Sequence, residues 1–224
     1  MDTSKESIAY SKTKIKICGL SRETDIAWAN ELSPDYIGFV FAKKSRRYVS
    51  PEKAGQLKAR LDGRIQAVGV FVNEPLRSVQ ALAAGGTIDV IQLHGDEDEA
   101  YIAALRNITD KPIIRAFRMP SPQRDATDSP DIEQALTCPA DYILLDNGNG
   151  GTGQTFDWSL MSGIRRPYFL AGGLDCRNIS EAVSRFHPFA VDVSSGAETD
   201  GHKDYHKMKE LIHAVRNTGN PASV

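Results

Sequence analysis

IKICGLSRETDIAWANEL (15–32) decides the fold. IKIC (15–18) is a short, β-rich apolar run, and TDIAWANEL (24–32) carries helical periodicity. Between them stands CGLSRET, where an open, doubly wound sheet would place its dinucleotide fingerprint GxGxxG. That fingerprint is missing. Working outward, the same unit recurs: YIGFVF (36–41), IQAVGVFV (65–72), IDVIQL (88–93), PIIRAF (112–117), DYILLD (141–146), YFLAGG (168–173) and FAVDVSS (189–195) are further strand candidates. Helical stretches follow each, in order PEKAGQLKARL, PLRSVQALAA, DEDEAYIAALRNI, SPDIEQAL, a short FDWSLMSGI, NISEAVSRF and DYHKMKELIHAVRN. Pro51 and Pro75 stand where helices begin, Asp131 and Asn178 suit N-terminal caps, and Gly85 suits a stop. Continuous apolar strands are expected where both faces are covered, and alternation with helices imposes right-handed parallel crossovers. Eight such units predict one α/β domain, a single (β/α)8 TIM barrel with a parallel eight-stranded core, over 14–218. Residues 1–13 read as a flexible, polar N-terminal extension and 219–224 as a loose C-terminus.

The 224 residues carry 27 Lys plus Arg against 29 Asp plus Glu, a formal charge of -2, which leaves no basic surplus for a nucleic-acid backbone or an anionic membrane. Hydrophobic residues at 41% and charged residues at 25% suit a chain that builds a sizeable core. Cys18, Cys138 and Cys176 are odd in number and lack CxxC spacing, so neither a disulfide framework nor a thiolate cage is encoded. With no apolar signal segment and no run of ~20 apolar residues, the expected location is the cytoplasm.

A parallel barrel collects its functional groups at the C-terminal ends of its strands. Cys18, Arg47, Asn73, Gln92, His94, Arg115, Asp146 and Asp192 stand there. AGGL (171–174) and SSG (194–196) follow the seventh and eighth strands, where glycine lets backbone N–H groups approach an anion. Gly172, Gly173, Ser195 and Gly196 therefore suit a phosphate cradle, and GGTG (150–153), with Gly153, either closes over the same ligand or is a plain loop. A small phosphorylated molecule is the favoured ligand. Cys18 is either an inert apolar residue or a reactive thiol that moves a proton. By period-2 alternation it shares a face with Lys16, a cation that would lower a thiol pKa from about 8.5. Lys16 either points at the thiol or pairs with Asp192 on the adjacent eighth strand. Asp146 ends the apolar run YILLD, a setting that favours a protonated carboxyl able to act as an acid, or else it makes an Asx turn. In SRRY, an arginine at the rim either is solvated or grips a carboxylate bidentately. Gln92 and His94 share a face and serve either a structural hydrogen bond or substrate contact. His202 and His206 have helical spacing, yet Lys203 stands where a zincin has its glutamate and no third ligand is evident, so HKDYH reads as a solvated final helix with no metal.

KICG, GFVF with KSRRYVSPE, VGVFVNE, IQLHG, ILLD with GGTGQTFDW, AGGL and FAVDVSSG, in this order from about Lys14 to the last helix, resemble the phosphoribosylanthranilate isomerases of tryptophan biosynthesis. The resemblance implies a (β/α)8 barrel and a cofactor-free Amadori rearrangement of N-(5-phosphoribosyl)anthranilate to 1-(2-carboxyphenylamino)-1-deoxyribulose 5-phosphate. It further implies Cys18 as general base, Asp146 as general acid, Arg47 on the anthranilate carboxylate, Asp192 on a sugar hydroxyl, and AGGL with SSG on phosphate. The polar N-terminal extension and the short loop NGNGG depart from the family pattern. The expected assembly is a monomer or homodimer. Rival readings are another phosphosugar barrel enzyme or a noncatalytic phosphosugar-binding protein. An indole-forming synthase would want catalytic lysines at strand ends and a metal-dependent epimerase a histidine and aspartate cluster; neither set is apparent.

Overall fold

The computed structural model describes residues 12–119, 132–146 and 164–218. Eight parallel strands close on themselves in chain order: β1 (Lys14–Cys18), β2 (Tyr36–Val40), β3 (Gln66–Phe71), β4 (Val90–Leu93), β5 (Ile113–Arg118), β6 (Tyr142–Asp146), β7 (Tyr168–Ala171) and β8 (Ala190–Val193). Around them run α1 (Glu23–Leu32), α2 (Pro51–Lys58), α3 (Leu76–Ala84), α4 (Glu99–Arg106), α5 (Ile132–Thr137), α6 (Ile179–Phe186) and α7 (Tyr205–Asn217). This is the barrel that the alternation predicts. The expected cap Asp131, the glycines 150–153 and most of FDWSLMSGI lie outside the described residues.

Each strand is buried on both faces, and its alternate residues enter different layers. Ile15, Ile17, Ile37, Phe39, Ile91 and Val191 pack outward with the helices. Tyr36, Val68, Val90, Ile114, Leu144 and Phe169 fill the barrel interior. Its floor is aromatic, with the Tyr36 and Phe169 ring centroids 5.5 Å apart and those of Tyr142 and Phe189 4.8 Å apart. Above that floor the inward positions turn polar: Lys16, Gln92 and Asp192 are all buried.

Local signals account for the helix starts. The hydroxyl of Ser50 accepts the Lys53 N–H ahead of Pro51, and Asp98 accepts the Tyr101 N–H. Gly85 follows α3 as expected. Asn178 occupies the N-cap position of α6 but makes no capping bond. Instead its side chain accepts the Asp175 N–H and donates to the Gly173 carbonyl, bracing the loop after β7.

The HKDYH reading needs correction. After β8 the chain makes a 3-10 turn, Ser195–Ala197, and then an antiparallel hairpin, β9 (Glu198–Thr199) with β10 (His202–Lys203). Asp204 caps α7 by accepting the Lys207 N–H, so His202 and Lys203 lie outside the helix and His202 and His206 share no helical face. Lys203 is buried, not solvated.

Lys16 and Asp192 are register partners across the β1–β8 seam, and Lys16 Nζ lies 2.7 Å from Asp192 Oδ2. Removing one member of a buried pair strands the other charge, at a cost of about 3–5 kcal/mol. Lys16→Met is therefore expected to lower unfolding free energy by roughly that amount in urea titration. The double variant Lys16→Met with Asp192→Leu should recover most of the loss; equal destabilisation by both variants would show that packing, not charge, sets the cost.

Candidate active site

The C-terminal mouth of the barrel holds a cavity of about 350 Å³ into which Cys18, Arg47, Gln92, His94, Asp146 and Asp192 all open, together with Gly172, Gly173 and Ser195. Five strand ends, those of β1, β2, β4, β6 and β8, thus deliver six candidate side chains to one space. A neighbouring cavity of about 430 Å³ lies behind the same loops and is lined by Cys176, Lys207 and Glu210. It holds none of those six side chains. Burial, and then Glu210, push the Cys176 thiol up to about 11.

Cys18 ends β1 beside Gly38 of β2, and a Cβ at Gly38 would come 2.7 Å from the Cys18 sulfur. The thiol therefore depends on a neighbour with no side chain. Burial pushes the Cys18 thiol above its ordinary range; Lys16 and Lys203 oppose that shift and Asp192 reinforces it. Lys16 thus acts on the thiol in the expected direction, but desolvation outweighs it. For Lys16 itself, burial disfavours the ammonium, but Asp192 and Cys18 outweigh it and hold its pKa up. Both orientations left open for Lys16 are realised, since its ammonium is bonded to Asp192 while interacting with the thiol.

Asp146 closes β6 on the same cavity, and His94 Nε2 lies 3.4 Å from Asp146 Oδ2. Gln92 Nε2 is 3.0 Å from His94 Nδ1. A Gln92 amide N–H donated to Nδ1 leaves Nε2 to carry the ring hydrogen toward Asp146. Among the described residues, the buried acceptors Gln92 Oε1 and Asp192 Oδ1 have no hydrogen-bond partner. Two such oxygens at the cavity floor call for donors on a ligand.

Arg47 reaches the rim, but its guanidinium already holds a carboxylate. Nε lies 2.6 Å from Glu198 Oε1 and Nη2 lies 2.8 Å from Glu198 Oε2. That bidentate contact raises the Arg47 pKa. Burial alone would raise the Glu198 pKa, but the bonds from Arg47 and Lys203 hold it below its ordinary value.

On the β7–β8 side, Gly172 and Gly173 have φ of +92° and +69°, the left-handed backbone that side chains rarely adopt. A Cβ at Gly196 would come 2.0 Å from the Leu174 carbonyl oxygen, so the loops after β7 and β8 touch backbone to backbone. Gly196 lines the outer cavity; Gly153 lies outside the described residues. Asn73 and Arg115 are spent elsewhere, Asn73 on Asp96 and Glu97 and Arg115 on the Leu93 and Ala116 carbonyls.

The N-(5'phosphoribosyl)anthranilate (PRA) isomerase family matches residues 15–214. The chain belongs to this family. The N-(5'-phosphoribosyl)anthranilate isomerase of Thermoanaerobacter sp. (strain X514) is 44% identical, over 91% of this chain and 98% of the relative. The crystal structure of the phosphoribosyl anthranilate isomerase from Thermotoga maritima superposes with a TM-score of 0.81 at 35% identity, covering 92% of this chain and 99% of that one. A structure of the family in complex with reduced 1-(o-carboxyphenylamino)-1-deoxyribulose 5-phosphate matches with a TM-score of 0.78 at 34% identity, covering 92% and 99%.

The family match spans all the site residues just described, and two of these escaped sequence reasoning. Glu198 and Lys203 come from AETDGHKD, a polar stretch with no periodicity and no motif. The available signal was indirect: a short polar segment between the phosphate loop and the last helix must put its charges somewhere.

Because burial dominates at Cys18, thiolate is expected only at alkaline pH in the free protein. With Cys138 and Cys176 replaced by serine, iodoacetamide labelling of Cys18 should rise with pH with a midpoint above the ordinary thiol value of about 8.5. A midpoint below that value would show that the two ammonium groups overcome desolvation.

Proposed function

We infer that this chain is an enzyme of tryptophan biosynthesis, the isomerase that converts N-(5'-phosphoribosyl)anthranilate into 1-(2-carboxyphenylamino)-1-deoxyribulose 5-phosphate by general acid/base catalysis in the cytoplasm. Among the described residues no helix is long and apolar enough to cross a membrane. The observation that carries the mechanistic reading is that Cys18 and Asp146, on strands separated by β7 and β8, open on one cavity floored by two acceptor oxygens that have no partner among the described residues. That arrangement suits proton movement at two positions of one polyhydroxylated molecule.

In this reading Asp146 protonates the furanose ring oxygen, the C1–O bond breaks, and the ring opens to an iminium ion. The His94 ring N–H stabilises the carboxylate left behind. The Cys18 thiolate then removes the proton from C2, and the electron pair moves toward the iminium nitrogen to give an enolamine. Lys16 and Lys203 offset the cost of that thiolate. Tautomerisation of the enolamine gives the ketone. Hydrogen is only redistributed within the substrate, so the balance calls for no redox partner. Asp192 Oδ1 and Gln92 Oε1 accept sugar hydroxyls, Arg47 takes the anthranilate carboxylate, and Gly172, Gly173 and Ser195, with Gly196 and Gly153, hold the phosphate. The protein works as a monomer or homodimer.

Anthranilate-type fluorescence of freshly made substrate tests this directly. Signal loss is expected with the wild type in the presence of a chelator, while Cys18→Ser and Asp146→Asn should each slow turnover by about 10²- to 10⁴-fold. Near-normal rates in folded variants would remove those residues from the mechanism.

A further inference from the structure

Glu198 contributes nothing to the acid/base chemistry, yet its carboxylate, with the side chain 4% exposed, gathers three cations. Arg47 donates through Nε at 2.6 Å and Nη2 at 2.8 Å, Arg46 Nη2 lies at 2.9 Å, and Lys203 Nζ bonds to Oε1. The carboxylate is itself held in place. Lys203 Nζ also donates to the Ser194 carbonyl at 3.0 Å, and the Glu198 carbonyl accepts from Lys207 Nζ at 2.6 Å.

A guanidinium has two bidentate edges, a side edge of Nε and Nη2 and an end edge of Nη1 and Nη2. Glu198 takes the side edge. Among the described residues Nη1 has no hydrogen bond, while Arg47 lines the central cavity. The stem is fixed as well, because it lies so close over Gly19 that a Cβ there would come 2.4 Å from Arg47 Cδ. With stem and side edge both pinned, only the end edge is left to a ligand. Charge points the same way, since Arg46, Arg47 and Lys203 against Glu198 alone leave a surplus that a second carboxylate would balance.

We propose that Glu198 is a positioning residue that sets the end edge of Arg47 toward the cavity and so confers selectivity for a ligand bearing an aryl carboxylate. The proposal rests on the reading of Arg47 given above. Glu198 is not a placeholder that the substrate displaces. It occupies the edge the substrate does not need, and leaving would strand a buried Lys203.

The test compares calorimetric binding of two probes, reduced 1-(o-carboxyphenylamino)-1-deoxyribulose 5-phosphate and its anilino counterpart lacking the carboxylate. Wild-type protein should prefer the first. Glu198→Gln should reduce that preference at least about tenfold, as should Arg47→Ala, while the anilino probe changes by less than about threefold. In the double variant the two losses should not add. If Glu198→Gln weakens both probes equally, or neither, Glu198 is structural only and the proposal falls while Arg47 keeps its role. If Arg47→Ala leaves the preference intact, the reading of Arg47 falls and the proposal with it. Thermal melts establish folding. Should Glu198→Gln not fold, Glu198→Asp is measured instead: it keeps the charge beside Lys203 but is one methylene too short to span both Arg47 donors, and the same loss of preference is expected.

Discussion

Lys16 and Asp192 meet across the β1–β8 seam, joining residues 176 apart in sequence where the barrel closes. A charge inside a barrel wall costs several kcal/mol in lost hydration, and the pairing makes that position tenable. The pair also fixes what lies above it. Cys18 is the next inward residue on β1, so the ammonium that closes the seam is the one beneath the thiol. Asp192 gives one oxygen to Lys16, and its other oxygen has no partner among the described residues. One ion pair thus joins the barrel seam, the Cys18 thiol and the floor of the cavity.

The two proposed proton carriers, Cys18 and Asp146, have different surroundings. Cys18 has cations for neighbours, Lys16 and Lys203, which favour its anion against a larger desolvation. Asp146 has an imidazole N–H whose tautomer Gln92 sets. Placing the two on strands separated by β7 and β8 keeps the cations of one away from the other. Glycine makes the crowding possible, at Gly38 against the thiol and at Gly19 against Arg47, and neither position tolerates a Cβ.

The barrel was legible because its strands are buried on both faces and so read as apolar runs, with Gly85, Pro51 and the strand-end residues marking the turns. Cys18 and Asp146 were legible for the same reason, since each ends such a run. The electrostatics were less so. The spacing of Lys16 and Cys18 reveals a shared face but not how deep that face lies, and depth decides the direction of the thiol's shift. Glu198 and Lys203 left only the indirect signal of a charged segment: their hairpin is two residues per strand, too short for any period, and Glu198 meets Arg47 across 151 positions. His202 misled because helical spacing continues through HKDYH, while Asp204, a good cap, starts the helix only after it.

The segment after β8 sets the distance between the two ends of the cavity. Ser195 lies on the side of the β7 glycines and Glu198 on the side of Arg47, and the 3-10 turn Ser195–Ala197 is all that separates them. Lys203 ties the hairpin back to the Ser194 carbonyl, and the Ser194 hydroxyl donates to the Cys18 carbonyl at 3.2 Å. One short covalent span, anchored to the strand that carries Cys18, therefore fixes the separation of Ser195 from Glu198. Flexing that span would move both residues against the thiol together. Two long-range ion pairs, Lys16 with Asp192 and Arg47 with Glu198, hold the ends of the same loop at fixed height above β1. In the proposed mechanism, proximity between Cys18 and C2 is then a property of the backbone and not of side-chain chance.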